Sequence, residues 1–182
     1  MNPLIRALEL YVPELVARMA VRRLFEATAA AFGRDPGDLG GLDHRALLER
    51  YASFTDRCAE RLLDDDEEIE RVSRRMWDEA YRIGDSLRRW LGVRSRREEL
   101  RATRIAYRMI GIDLRAHPNG HVVVTRCAFA SSYSPQVCRL MSSLDAGLVA
   151  GLTHGGRLAF SERITEGRSR CIARIRWAGG SS

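Results

Sequence analysis

After Gly111 the hydrophobic period changes from helix-like to strand-like, and the switch limits what the two parts can become. Upstream, Ile69, Val72, Met76, Ile83, Leu87 and Leu91 recur mostly at helical spacings, the best such run in the sequence. Downstream, IDLRAH and HVVVTRCAFA flank Pro118-Asn119-Gly120, and Asn-Gly is the strongest short hairpin signal because both residues tolerate positive φ. Ser131 to Pro135 then turns the chain into a helix from Gln136 to Leu152. After THGG, RLAFSERI and RCIARIRWA form a second hairpin across Thr165 to Ser169. The pattern predicts an α+β fold in one domain: a helical part over 1–110, then an antiparallel β-β-α-β-β sheet with a packed helix over 111–179.

Local signals divide the helical part. Residues 1–32 read as helix, with Pro13 opening the main segment in its first turn and Gly33 ending it. GRDPGDLGGL, residues 33–42, is a loop whose composition fits either a lid or a plain connection. Asp43 caps a helix through Leu63. The acidic run Asp64 to Glu68 looks like a metal site, but it stands before the strongest helix, where an N-terminal dipole favours negative charge. Gly92 closes that helix, and Ser95 with Glu98 forms a capping box for another reaching about Ile110.

Composition excludes several function classes. All 30 basic residues are Arg, so Schiff-base lysines, phosphate-loop lysines and serine–lysine dyads are impossible. The net charge of +6 invites a nucleic-acid reading, but most Arg residues alternate with Glu and Asp as on solvated helix faces, and nucleic acid is not the expected partner. No run approaches the roughly 18 apolar residues of a membrane span, and the start lacks a signal-peptide pattern, so a cytoplasmic location is expected. Cytosolic thiols stay reduced, and the four cysteines are read as free. The amphipathic N-terminal helix makes a homodimer reasonable.

Three of those cysteines, Cys127, Cys138 and Cys171, fall between Arg126 and Trp177. Alternation puts Cys127 on a face with Thr125 and Phe129, and Cys171 with Ala173, Ile175 and Trp177, both largely apolar and inward-looking. On the intervening helix Cys138, Met141, Ser142 and Asp145 share one stripe. If that stripe packs on the sheet, three thiols and a carboxylate meet. Cys58 lies far from these and reads as packing.

The order Cys, Cys, Asp, Gly-containing turn and Cys at the last strand resembles the L-2-amino-thiazoline-4-carboxylic acid hydrolase family, most closely from His121 to Trp177. The family places its acidic residue close after the second cysteine, whereas Asp145 follows Cys138 by seven positions, two helical turns. The same stretch also resembles the 4-vinyl reductase domain, a small-molecule-binding module, through Cys138, AGLVAGL with Gly147 and Gly151, Glu162, Gly167 and Cys171.

The first resemblance implies a hydrolase of a C–N or C–S bond in a small, cyclic substrate. Its nucleophile would be Cys138, in the first turn of its helix, or Cys127; the proton handler Asp145 or His154. Arg126 or Arg163 would hold a substrate carboxylate, with Glu162 and Cys171 completing the binding site. The second resemblance implies a cavity for a small hydrophobic ligand with the cysteines as core. No metal or other cofactor is expected, because the cysteines are separated by ten and thirty-two residues and form no close ligand pair; zinc or iron on three Cys with His or Asp is the third reading.

Overall fold

The computed structural model describes residues 2–177. Six α-helices and four strands follow in the predicted order: α1 (Pro3–Leu10), α2 (Glu14–Ala31), α3 (His44–Glu60), α4 (Asp66–Trp90), α5 (Arg96–Met109), β1 (Ile112–Ala116), β2 (His121–Cys127), α6 (Pro135–Leu152), β3 (Arg157–Glu162), a 3-10 turn (Ile164–Glu166) and β4 (Cys171–Arg176). The fold is α+β with a helical N-terminal part. Ala178 and Gly179, the end of the expected 111–179 part, lie outside the described residues. No described helix is long and apolar enough to cross a membrane.

The caps set the helix boundaries. Asp43 accepts from Ala46 N–H at 2.8 Å to start α3, and Asp65 from Glu68 N–H at 3.0 Å to start α4. Ser95 and Glu98 form the reciprocal box, with Ser95 Oγ donating to Glu98 Oε2 at 3.2 Å. The N-terminal segment is two helices: Pro13 opens α2, and Asn2, accepting from Leu4 N–H at 2.9 Å, opens the shorter α1, which buries Ile5 and Leu8. The 33–42 loop is tied down, since Arg50 donates to the carbonyl of Asp38 at 2.8 Å, Arg22 donates to that of Leu39, and Leu39 is buried.

The strands form one antiparallel sheet in the order β1-β2-β4-β3. Its inner face carries Val122, Val124, Cys171, Ala173 and Ile175, all buried in the main core. Helix α6 crosses α4 with its backbone almost touching: a Cβ on Gly151 would stand 2.6 Å from Asp85 N, and one on Gly147 2.9 Å from the Trp77 carbonyl carbon. Small residues allow that approach, which explains the AGLVAGL run by packing.

Both outer pairs contain a β-bulge. Leu114 pairs with Val124 and Asp113 with Arg126, so Thr125 is an extra residue in β2. Phe160 pairs with Ala173 and Glu162 with Ile172, so Ser161 is extra in β3. Each bulge reverses the in–out alternation beyond it.

Candidate functional site

Between α2, α4, α5, α6 and the inner face of the sheet lies a cavity of about 820 Å³. Its walls are mostly apolar, with Leu24, Ile83, Leu87, Met141, Leu144 and Leu148 among them, and Cys127, Cys138, Cys171 and Asp145 all border it. Met19 and Trp90 line it while remaining largely exposed, 63% and 53%, which places the mouth between α2 and α4.

The β2 bulge determines which residues of that strand reach the cavity. Simple alternation groups Cys127 with Thr125; in the structure Thr125 is exposed, and the extra residue returns Cys127 to the inward face of Val122 and Val124, opposite Ile112. Arg126, one of the residues expected to hold substrate, is turned outward instead. Its side chain is 73% exposed and paired with Asp113 at 2.8 Å. Glu162 is also displaced: past the Ser161 bulge it pairs with Ile172, on the face of the exposed Arg174 and Arg176 rather than that of Phe160. His154 lies beyond the far end of α6, on the order of 20 Å of helix from Cys138; it is exposed, has φ 54° and contacts Arg88.

Arg163 stays near the thiols. Its guanidinium donates to Ser142 Oγ at 2.8 Å, stacks over Phe160 at 4.4 Å and stands 4.0 Å from Glu166, while Ser142 donates to the Cys138 carbonyl at 2.8 Å. Arg139, beside Cys138, is paired with Glu166 at 2.7 Å. The Arg139–Glu166 pair and the Arg163–Ser142 bond fasten the 3-10 turn to the first half of α6. Cys171 receives the Ile164 N–H at 3.3 Å, so its sulfur is part of the same tie.

Asp145 is half-buried and borders the cavity. Tyr107 of α5, itself buried, donates its hydroxyl to Asp145 Oδ1 at 2.7 Å. Desolvation nevertheless prevails over this bond and over the Arg163 charge, and pushes the Asp145 carboxyl up to about 6. Burial pushes the Cys127 thiol up to about 12 despite a hydrogen bond from Phe129 N–H, with the charges of Asp145 and the other two thiols adding to the effect. Cys171 is raised for the same first reason. Two further hydroxyls are spoken for, Tyr51 by Thr28 at 3.2 Å and Tyr133 by Thr55 at 2.6 Å. Thr165 borders the cavity, while its hydroxyl oxygen is buried and has no hydrogen-bond partner among the described residues.

Sequence reasoning missed Tyr107 as a site residue. Its signal was a polar group in the buried stripe Leu100, Thr103, Tyr107 of α5. Cys58 does not border the cavity. Among the described residues no three His, Cys, Asp or Glu are grouped so as to hold a metal ion. No protein-family model matches the chain, and no curated protein resembles it significantly.

Proposed function

We propose that this protein binds a small, largely apolar molecule in the cavity between its helices and sheet. The observation that carries the reading is the cavity itself: about 820 Å³, mostly apolar walls, a hydrophobic mouth and a few polar groups, the usual composition of a small-molecule site. Titration with an uncharged, polarity-sensitive dye such as N-phenylnaphthylamine tests it. Saturable, stoichiometric fluorescence enhancement is expected, retained in Cys127→Ser and Cys138→Ser; absence of saturable binding would refute the reading.

A second reading is favoured by one juxtaposition. Cys138 and Asp145, two turns apart on α6, border the same cavity. A thiazoline-carboxylate-hydrolase-like reaction would use Cys138 sulfur to attack the C–N or C–S carbon of a small cyclic substrate. Asp145, titrating near neutrality, would pass a proton to the leaving atom, and water would then release the acyl group from sulfur. Cys127 is a poor nucleophile, because a thiol held near 12 supplies little thiolate. Loss of thiazoline turnover in Cys138→Ser with dye binding intact would support this reading; undiminished turnover would exclude it. The homodimer expectation, drawn from the amphipathic N-terminal helix, is supported by the exposed Leu10, Tyr11, Leu15 and Met19 of the N-terminal segment, and sedimentation velocity tests it.

A further inference from the structure

We infer that the ligand carries a protonated amine on an apolar body, the ammonium group meeting Asp145 inside the cavity. The inference deepens the binding reading and rests on it.

Two observations converge. The charged groups lining the cavity are unevenly placed: Arg22, Arg23 and Glu26 line its α2 side, where Arg22 is spent on the Leu39 carbonyl and Arg23 contacts Ser86 at 3.5 Å, whereas Asp145 is the carboxylate on the α6 side. Arg163, the cation nearest in effect to Asp145, does not line the cavity and is directed to Ser142, Glu166 and the Phe160 ring. Among the described residues Asp145 therefore has one neutral donor, Tyr107, and no ion pair. A carboxylate in so apolar a place is costly unless compensated, and a cationic N–H donor arriving with the ligand is the strongest compensation available.

An anionic ligand would face Asp145 with like charge. A neutral alcohol would make a weaker hydrogen bond than an ammonium group does. The net charge of +6 biases non-specific attraction toward anions, so a preference for cations cannot come from the surface field.

The groups facing Asp145 are Tyr107 from α5, Tyr51 from α3, Cys127 from β2, Cys171 from β4, Cys138 on its own helix and Arg163 after β3. Burial raises both tyrosines and Cys127 far from neutrality, leaving Asp145 as the group that controls binding near pH 6. Alkylamines remain protonated there, so amine affinity falls as pH drops through about 6 while alcohol affinity does not.

The experiment is displacement of N-phenylnaphthylamine from the full chain by octylamine, octanol and octanoate at pH 7.5 and pH 5. At pH 7.5 octylamine is expected to bind about tenfold or more tighter than octanol, and octanoate weakest. Asp145→Asn, which keeps the acceptor for Tyr107, should bring octylamine to within about twofold of octanol without weakening octanol. Octanoate or octanol binding as well as octylamine, or an amine preference that survives Asp145→Asn, would overturn the inference while leaving the cavity-binding reading standing. Failure of the dye and of all three compounds to bind by calorimetry would overturn both.

Discussion

The α4–α6 crossing gives the sharpest test of the fold around the cavity, through Gly147→Ala and Gly151→Ala. Ala is the better helix former by about 1 kcal/mol, so on an exposed helix either change would stabilise. Here the new methyl at Gly151 meets the Asp85 nitrogen at 2.6 Å and the Tyr81 carbonyl oxygen closer still; at Gly147 it meets the Trp77 carbonyl. These are backbone atoms in a 25-residue helix and cannot rotate away as a side-chain tip would. Restoring ordinary contact requires the helices to separate by about 1 Å, which opens a gap along neighbouring close contacts.

Overpacking that moves backbone costs about 1–3 kcal/mol and occasionally more. Contacts this close to backbone atoms put the cost at the upper end, about 3 kcal/mol, so net of the propensity gain each substitution should destabilise by about 2 kcal/mol, lowering Tm by roughly 4–8 °C for a chain this size. Urea unfolding followed by circular dichroism measures the change as a shifted midpoint at unchanged slope. Gly155→Ala is the contrast: nothing stands within 4 Å of its Cβ, but φ is +93°, so its cost is backbone strain of about 1 kcal/mol. Equal or raised stability in both Gly147→Ala and Gly151→Ala would refute the close crossing. Because α4 and α6 also wall the cavity, dye affinity should change in these two variants and not in Gly155→Ala.

Three other outcomes are expected. With its thiol near 12, Cys127 is thiolate to only about one part in ten thousand at pH 8, so peptide mapping after brief iodoacetamide treatment should find it unmodified; prompt labelling would contradict its burial. Deleting Thr125 removes the β2 bulge while preserving the Leu114–Val124, Asp113–Arg126 and Ile112–Cys127 pairs, so the variant should fold with a Tm loss of a few degrees, about 1 kcal/mol, and keep Cys127 protected. Asp145 is raised in the fold above its unfolded value, so the native state binds its proton more readily and burial of the charged form costs up to about 3 kcal/mol near pH 7.5, less where cavity water screens it. That cost is relieved as pH falls from above 6 toward 4, and Asp145→Asn should raise Tm at pH 7.5 with the advantage vanishing near pH 4; a constant difference would refute the shift.

The helices were legible because their boundaries are set by residues a few positions apart. Asp43 caps α3 three residues on, Ser95 and Glu98 cap one another, and the acidic run around Asp65 begins α4 as a helix N-terminus should. The second helix of the N-terminal segment was less clear, because Pro13 is compatible both with a first turn and with the extended break seen from Tyr11 to Pro13. The Tyr107–Asp145 bond links residues 38 positions apart on helices that meet only in three dimensions, and no local pattern identifies it.

Alternation held for Cys127, which faces inward with Phe129 as expected, and failed for its neighbours Thr125 and Arg126 and for Glu162 for a definable reason. A bulge depends on how a strand pairs with its neighbour, not on its own sequence, and both bulges here precede a residue expected to act on substrate. By parity Arg126 belongs with Val122 and Val124, and Glu162 with Leu158 and Phe160, all on the inner face. The extra residues Thr125 and Ser161 send both charges to the outer face and bring Cys127 to the inner one. The sheet thus presents a thiol to the cavity where regular strands would present a cation and a second carboxylate. Asp145 then faces neither an opposing Arg nor a competing Glu from the sheet, and its charge is left for whatever enters between α2 and α4 to answer.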